Sequence, residues 1–336
     1  MRMEGDLPET DFHAFSSEHG SLILFPFGGD HARLVASVPP EKGSEPTLVE
    51  LQQVWDQRSH VPARFHGLTW ASFFRVNSRM MSHLKIGRLL LGGDAAHVHS
   101  PAGGQGMNTG IQDMINLGWK LAAVMQGRSP PELLDTYGDD RLPVMRDVLF
   151  TTENLTEMVG SERPLVRGLF NHLMPLVGSA GFVQANATAR MSQVALGFRG
   201  SPISKSHGPA GHLHAGDRAP PIRVRTKQAG GWAERSLLEL LDPSRWTLLV
   251  VGQEPDAETD HAAACGPGRD LIDVRAIAEP EARDDAAEFT TAFGRHGVLL
   301  MRPDGHAGFA SGKGRAHNLS RYAKRWFTTE AGDTPS

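Results

Sequence analysis

The sequence predicts a mixed α/β protein of two domains. Three observations predict it. Short alternating runs of β-branched and aromatic residues crowd the first 85 positions. An almost wholly apolar run, Arg88–Leu91, feeds a glycine-rich loop and then a helix pattern. After a stretch dense in Gly, Pro, Ser and His, strand and helix patterns resume and continue to about position 330. The length of 336 residues suits two domains, since one domain usually runs to about 100–200.

The elements are justified in order. Phe12–Ser16, Ser21–Phe27 and Arg33–Val38 read as strands, separated by the turn chemistry of Glu18-His19-Gly20 and Gly28-Gly29-Asp30, which makes an antiparallel meander. Pro39-Pro40 stops it. Thr47 caps a helix that carries Leu48, Leu51, Val54 and Trp55 on one face. A further strand is expected near Leu68–Val76. Arg88–Leu91 reads as a strand covered on both faces. The helix after the glycine loop carries Ile111, Met114, Ile115, Gly118, Leu121, Ala122 and Met125 at helical spacing, with Gly127 and Pro130-Pro131 as its stop. Helices are expected over Glu132–Arg141, Val144–Val159, Pro164–Met174 and Asn186–Leu196. Composition then shifts over 200–221, the expected linker. In the second domain, Ser236–Leu241 is a short helix, Trp246–Val251 and Leu271–Ala276 are buried strands, and Asp285–Phe293 is a helix. Gly297–Arg302, Pro303-Asp304-Gly305 and His306–Phe309 form a hairpin.

Composition excludes several classes. Forty per cent hydrophobic and 21% charged residues are ordinary for a globular chain. Lys+Arg 34 against Asp+Glu 38 gives −4, which argues against a nucleic-acid partner. The lone Cys265 excludes an internal disulfide and any Cys-pair zinc site. No apolar run approaches the ~18 residues of a membrane helix. Met-Arg-Met-Glu-Gly-Asp shows no signal peptide, so a reduced cytoplasmic compartment is expected.

The chemistry concentrates in one ordered block. Gly87-Arg88-Leu89-Leu90-Leu91-Gly92-Gly93-Asp94-Ala95-Ala96-His97 is followed by Pro101-Ala102-Gly103-Gly104-Gln105-Gly106-Met107-Asn108-Thr109-Gly110. This is a strand, an acid at its carboxyl end, a glycine loop and a helix start. Ligands of open α/β sheets bind outside the carboxyl ends of strands. Asp94 there can accept hydrogen bonds from sugar-like hydroxyls, glycines admit a flat ligand close to the backbone, and the helix start favours negative charge. A bare Gly-Asp pair would be a plain turn. The whole ordered block is far more specific.

That block resembles the flavin-dependent aromatic hydroxylases of the para-hydroxybenzoate hydroxylase type, the group A flavoprotein monooxygenases. It looks closest to the branch acting on phenols and aromatic polyketides, which carries a last, thioredoxin-like domain. The resemblance extends to Asp113–Ala122, Leu134–Tyr137, Asp140–Val144, Gly216–Pro220 and Val298–His306. It implies a partial flavin-monooxygenase fold: a substrate-binding sheet region over 1–86, the carboxyl-terminal part of an FAD-binding domain with helices over 87–200, a linker over 201–221 and a thioredoxin-like domain over 222–330. It implies that FAD is bound by Gly93, Asp94, Ala95, Pro101, Gly103, Gly104, Gln105, Gly106, Met107 and Asn108. Pro101 should lie against the flavin ring, and Gly104–Asn108 along the pyrimidine edge, where reduced flavin is negative. NAD(P)H would be the reductant and O₂ the co-substrate, and a flavin C4a-hydroperoxide would hydroxylate a small aromatic substrate. No further catalytic side chain is implied, because the cofactor carries the chemistry.

Two departures qualify the resemblance. No Gly-x-Gly-x-x-Gly follows a strand near the amino terminus, and the last hairpin ends in His306-Ala307-Gly308-Phe309. The expectation is therefore a chain without the family's ADP-binding unit: a fragment, a misplaced start, or half of a split protein with a partner chain supplying the rest. An inactive remnant and a flavin oxidoreductase that inserts no oxygen stay open as alternatives. Phe25, Phe27, Phe73 and Phe74 suit either core packing or an aromatic substrate, and Arg75 or Arg79 could orient a phenolate. His97 and His99 stand two apart, but His97 belongs to the flavin block, and the linker histidines His207, His212 and His214 lack carboxylate or cysteine partners at ligand spacing, so no metal is expected. Cys265 has no base or second cysteine near it in sequence.

Overall fold

The computed structural model describes residues 1–5, 7, 12–38, 45–100, 105–160, 196–208, 211–228, 231–252, 263–312 and 316–328. The chain divides into two compact units. The first comprises 1–78, 99–103 and 149–185; the second comprises 79–98, 104–148 and 186–336. Among the described residues, no helix is long and apolar enough to cross a membrane.

In the first unit, β2 (His13–Ser17), β3 (Gly20–Pro26) and β4 (Ala32–Ala36) form the expected three-stranded antiparallel meander. Alternation puts Leu22 and Leu24 on its core face. The helix α1 (Leu48–Arg58) begins with a full capping box: Glu50 N–H donates to the Thr47 hydroxyl, and Thr47 N–H donates to the Glu50 carboxylate. Its Trp55 packs among Leu22, Leu24, Ala32 and Phe65, and its indole N–H donates to Val61 O at 2.9 Å. A pairing not foreseen joins β1 (Arg2–Gly5) to β5 (Ala63–His66).

Two expected strands are corrected here. Leu68–Val76 forms no strand; Gly67 at φ 56° ends β5, and nothing among the described residues pairs with the segment beyond it. Strand propensity measures fit to a pleated surface, and without a ladder it has nothing to act on. The apolar run 88–91 is not a strand covered on both faces. In the second unit, after β6 (Arg79–Met80), it supplies only β8 (Leu89–Leu90), a two-residue partner for β7 (Lys85–Ile86), and Leu89 is 71% exposed. A short strand, β9 (His97–Val98), pairs with β6.

Helix α2 (Gly106–Met125) stops as expected, with Gly127 at φ 66°. The two helices expected over 132–159 are instead a 3₁₀ turn, Pro131–Leu134, and one helix α3 (Thr136–Gly160) that runs through Pro143. Pro164–Met174, the helix expected from Asn186, and Pro39-Pro40 lie outside the described residues.

The rest of the second unit is built on a seven-stranded sheet. Its strands are β10 (Lys205–Ser206), β11 (Arg223–Gln228), β12 (Gly231–Ser236), β13 (Trp246–Val251), β14 (Ile272–Ala278), β15 (Gly297–Met301) and β16 (Ala307–Ser311), in the order β10-β16-β15-β13-β14-β11-β12. β13 and β14 are parallel, while β15 is antiparallel to both β13 and β16. The expected short helix is the 3₁₀ turn Leu237–Leu240, and the expected hairpin is β15–β16. The β11–β12 hairpin and the final helix were not foreseen. Within the stretch expected to link the domains, Lys205–Ser206 adds the edge strand β10.

Every residue of β13, β15 and β16 is buried, because the sheet is covered twice. On one face, Leu248, Val250, Leu300 and Phe309 meet α5 (Ala316–Trp326) and Trp119 of α2. On the other, Leu249, Val251, Leu299 and Met301 meet Phe289 and Phe293 of α4 (Arg283–Phe293).

Candidate functional site

The Gly-Asp block folds as a hairpin, a 3₁₀ turn and a helix. β7 and β8 lead into the turn Gly93–Ala95, and β9 follows it. The glycines bring this turn onto α2. A methyl group on Gly92 would stand 2.1 Å from Met114 Cε and 2.8 Å from Tyr137 Oη, and one on Gly110 would stand 3.3 Å from Gly93 Cα. Gly93 sits at φ 59°, where a side chain is strained. The sequence implies close backbone approach to a ligand; Gly92 and Gly110, which line the cleft below, also approach protein closely, at Met114, Tyr137 and Gly93.

Between the turn and the helix lies an open cleft of about 600 Å³, lined by Gly92, Gly93, Asp94, Gly106, Met107, Gly110, Ile111, Met114 and Ile115. Asp94 is exposed on its wall. Gly106 and Met107 open α2, and Gln105 at the cap makes no side-chain hydrogen bond to the helix's free N–H groups. Those donors and the helix dipole favour negative charge at that end. The apolar stripe Met107, Ile111, Met114, Ile115 and Met125 is at least 45% exposed at each position. The cleft thus combines a carboxylate, helix-start N–H groups that the Gln105 side chain leaves uncapped, and an apolar wall, a set that suits the hydroxyl-bearing chain and ring of a flavin.

Behind the cleft, α2 buries its polar face. Asp113 Oδ2 accepts from Gly93 N–H at 3.0 Å and from His97 Nε2 at 2.9 Å; its Oδ1 accepts from Arg141 Nε at 2.7 Å. Burial alone would raise the Asp113 carboxyl. The His97 hydrogen bond, the Arg141 guanidinium and the Gly93 N–H outweigh it and hold the carboxyl below its ordinary range. Tyr137 donates to Leu91 O at 2.9 Å, and burial pushes its phenol up, so it stays a donor.

A second buried cluster follows on the same helix face. Asp140 Oδ2 accepts from Lys120 Nζ at 2.7 Å, Arg302 Nη2 at 2.8 Å and Asn116 Nδ2 at 2.9 Å. Asp304, in the hairpin turn, accepts from Trp119 Nε1 at 3.0 Å and from Arg302 Nε at 3.0 Å. Burial would raise the Asp140 carboxyl, but Arg302 and Lys120 hold it at about 2. Burial lowers Lys120 to about 8, with Asp140 opposing.

Of the sequence-derived cofactor residues, Gly93, Asp94, Gly106 and Met107 line the cleft. Ala95 is exposed on the turn, Gln105 is buried at the helix cap and Asn108 is half-buried in the first turn. Pro101, Gly103 and Gly104 lie outside the described residues. The aromatic group is not gathered on strands: Phe25 is on β3 and stacks on Phe12 at 6.1 Å, Phe27 lies just past β3, and Phe73, Phe74 and Arg75 sit in the segment without a strand. None of these lines the cleft. Asp113, Tyr137, Arg141, Lys120, Asp140 and Asp304 received no role from sequence. The signal was present: Thr109, Asp113, Asn116 and Lys120 recur at helical spacing.

Residues 9–152, which contain the turn and the start of α2, match the FAD binding domain family, and residues 212–329 match the aromatic-ring hydroxylase C-terminal family. The chain belongs to the flavin-dependent aromatic-ring hydroxylases. Among the relatives of this chain is 6-methylpretetramide 4-monooxygenase of Streptomyces rimosus, 32% identical over 90% of this chain and 56% of the relative. Another is pentachlorophenol 4-monooxygenase of Sphingobium chlorophenolicum, 32% identical over 74% of this chain and 47% of the relative. The solved anhydrotetracycline hydroxylase of Streptomyces rimosus superposes with a TM-score of 0.69 at 27% identity, covering 97% of this chain and 62% of that one. The chain spans about half the length of the curated relatives it matches.

Proposed function

We propose that the cleft between the Gly93–Ala95 turn and α2 seats the flavin end of FAD, and that the chain serves the hydroxylation of an electron-rich aromatic ring with NAD(P)H and O₂. The observation that carries this reading is the Asp94 carboxylate beside the start of α2, whose N–H groups the Gln105 side chain does not cap, inside the segment that matches the FAD-binding family. FAD, when bound, supplies the redox and oxygen-transfer chemistry. The chain's residues bind and orient. Asp94 accepts hydrogen bonds from ribityl hydroxyls, the N–H groups at the start of α2 stabilise negative charge on the pyrimidine edge, and Ile111, Met114 and Ile115 wall the ring off from water. The relatives named as acting on tetracycline precursors and chlorinated phenol support an aromatic, phenol-like substrate class.

Fluorescence titration of the full chain with FAD and with riboflavin tests the site. Asp94→Ala should weaken flavin binding roughly tenfold to a hundredfold, since a hydrogen bond to a charged group contributes ~1.5–3 kcal/mol. Equal affinity in the variant would remove Asp94, and with it the reading of this cleft. NAD(P)H consumption driven by added phenols tests the activity.

A further inference from the structure

An exposed carboxylate on a three-residue turn has no reason of its own to stay put, yet the residues flanking Asp94 are held at three points. Asp113, fully buried, places one oxygen on Gly93 N–H and on His97 Nε2, the residue before Asp94 and the third after it. Its other oxygen is fixed by Arg141 Nε, whose Nη2 also donates to Thr109 O on α2 at 3.2 Å. Tyr137 reaches from α3 to Leu91 O, on the other side of the two glycines. Gly92 leaves room for that hydroxyl: a methyl group there would stand 2.8 Å from it. None of these side chains lines the cleft.

We propose that Asp113 and Tyr137 are the positioning residues of this site: Asp113 grips Gly93 and His97, Tyr137 grips Leu91, and together they hold the Asp94 carboxylate at the cleft wall for the hydroxyls of the ligand. The ligand part rests on the flavin reading above; the clamp itself does not. Arg141 makes Asp113 a fixed acceptor, and α2 and α3 supply the rigid frame. The site therefore depends on residues that touch no ligand, as pre-organised sites generally do.

The test uses the full chain as Asp94→Asn, Asp113→Asn and the double variant, with two readouts: riboflavin and FAD affinity by fluorescence quenching, and hydrogen exchange of the peptide spanning Leu91–Val98. Asp113→Asn should lose about tenfold in flavin affinity and exchange faster over 91–98, with Leu22–Leu24 unchanged. Because Asp113 acts through Asp94, the double variant should bind within about twofold of Asp94→Asn alone. Losses that multiply, or exchange over 91–98 that stays at the wild-type rate, overturn the proposal. Should Asp113→Asn fail to fold, Tyr137→Phe removes a single hydroxyl and must itself speed exchange over 91–98; an unchanged rate there overturns the clamp. A wild-type chain that binds no flavin overturns the flavin reading and the ligand part together, while the exchange rates still decide the clamp.

Discussion

Lys120 carries its ammonium to a place with no solvent exposure, and the cost shows in its titration: burial brings it to about 8, against Asp140 pulling the other way. The folded value lies below the ordinary ~10.4, so the unfolded chain holds more protons between the two. Its contribution to stability is absent below about 8 and grows as pH rises toward ~10.5. Urea unfolding at pH 7.5 and 9.5 should show the wild type gaining stability relative to Lys120→Met; equal changes would mean the ammonium is not strained. Asp140 shows the same sign at the acid end, since its carboxyl is also held below its ordinary value. Held at about 2, it contributes fully above ~4, and that contribution is lost as pH falls through 2. Cys265 is a third buried group: burial pushes its thiol up to about 11, with Arg269 opposing. A native chain at pH 8 should therefore resist iodoacetamide and react only in denaturant. Rapid native labelling would contradict this placement. The lone cysteine was legible in the sequence as one without a redox partner; its full burial was not, because Ala-Cys-Gly-Pro-Gly reads as surface loop.

Helix α2 shows why part of the site was legible and part was not. Its apolar stripe was read correctly as periodic, but much of that stripe lines the cleft, and the opposite face, with Thr109, Asp113, Asn116 and Lys120, is buried. A hydrophobic pattern identifies a helix; it does not say which face meets protein when the polar face has partners for its charges. Those partners sit up to 188 residues away, at Asp304, and no local pattern announces them. The meander, the capped α1 and the β15–β16 hairpin were legible because their signals are local. The strand at 88–91 was misread because three leucines after an arginine do not specify how many neighbours they find. Arg302 is the element-scale keystone: it bonds both Asp140 and Asp304. Arg302→Met would leave Asp140 with Lys120 and strip the guanidinium from buried Asp304, and truncating one partner of a buried pair costs about 3–5 kcal/mol. Urea denaturation should register a loss of that order, whereas a loss under about 1 kcal/mol would show the cluster to be dispensable.

At the scale of the molecule, the second unit joins segments that sequence reasoning assigned to different domains. Trp119 of α2 and Leu133 of the 3₁₀ turn belong to the same apolar cluster as Leu248, Leu300 and Phe309 of the sheet. Trp119 meets Trp246 edge-on at 5.4 Å, and the Asp140–Arg302–Asp304 cluster ties α2 and α3 to the hairpin turn. A shared core and a shared ionic cluster make separate unfolding expensive on both sides, since opening either segment strands buried charges and exposes apolar sheet. The stretch 201–221 is thus expected to be a boundary in composition and not in cooperativity. Native-state hydrogen exchange at rising urea should give Leu117–Lys120 of α2 the same opening free energy as Leu248–Val250 of β13 and Leu299–Leu300 of β15. If α2 opens at markedly lower urea while the strands stay protected, its packing against the sheet is too weak to couple them. In the first case, any substitution that loosens the sheet, far from the cleft, will also loosen the helix on which Asp94 and its clamp depend.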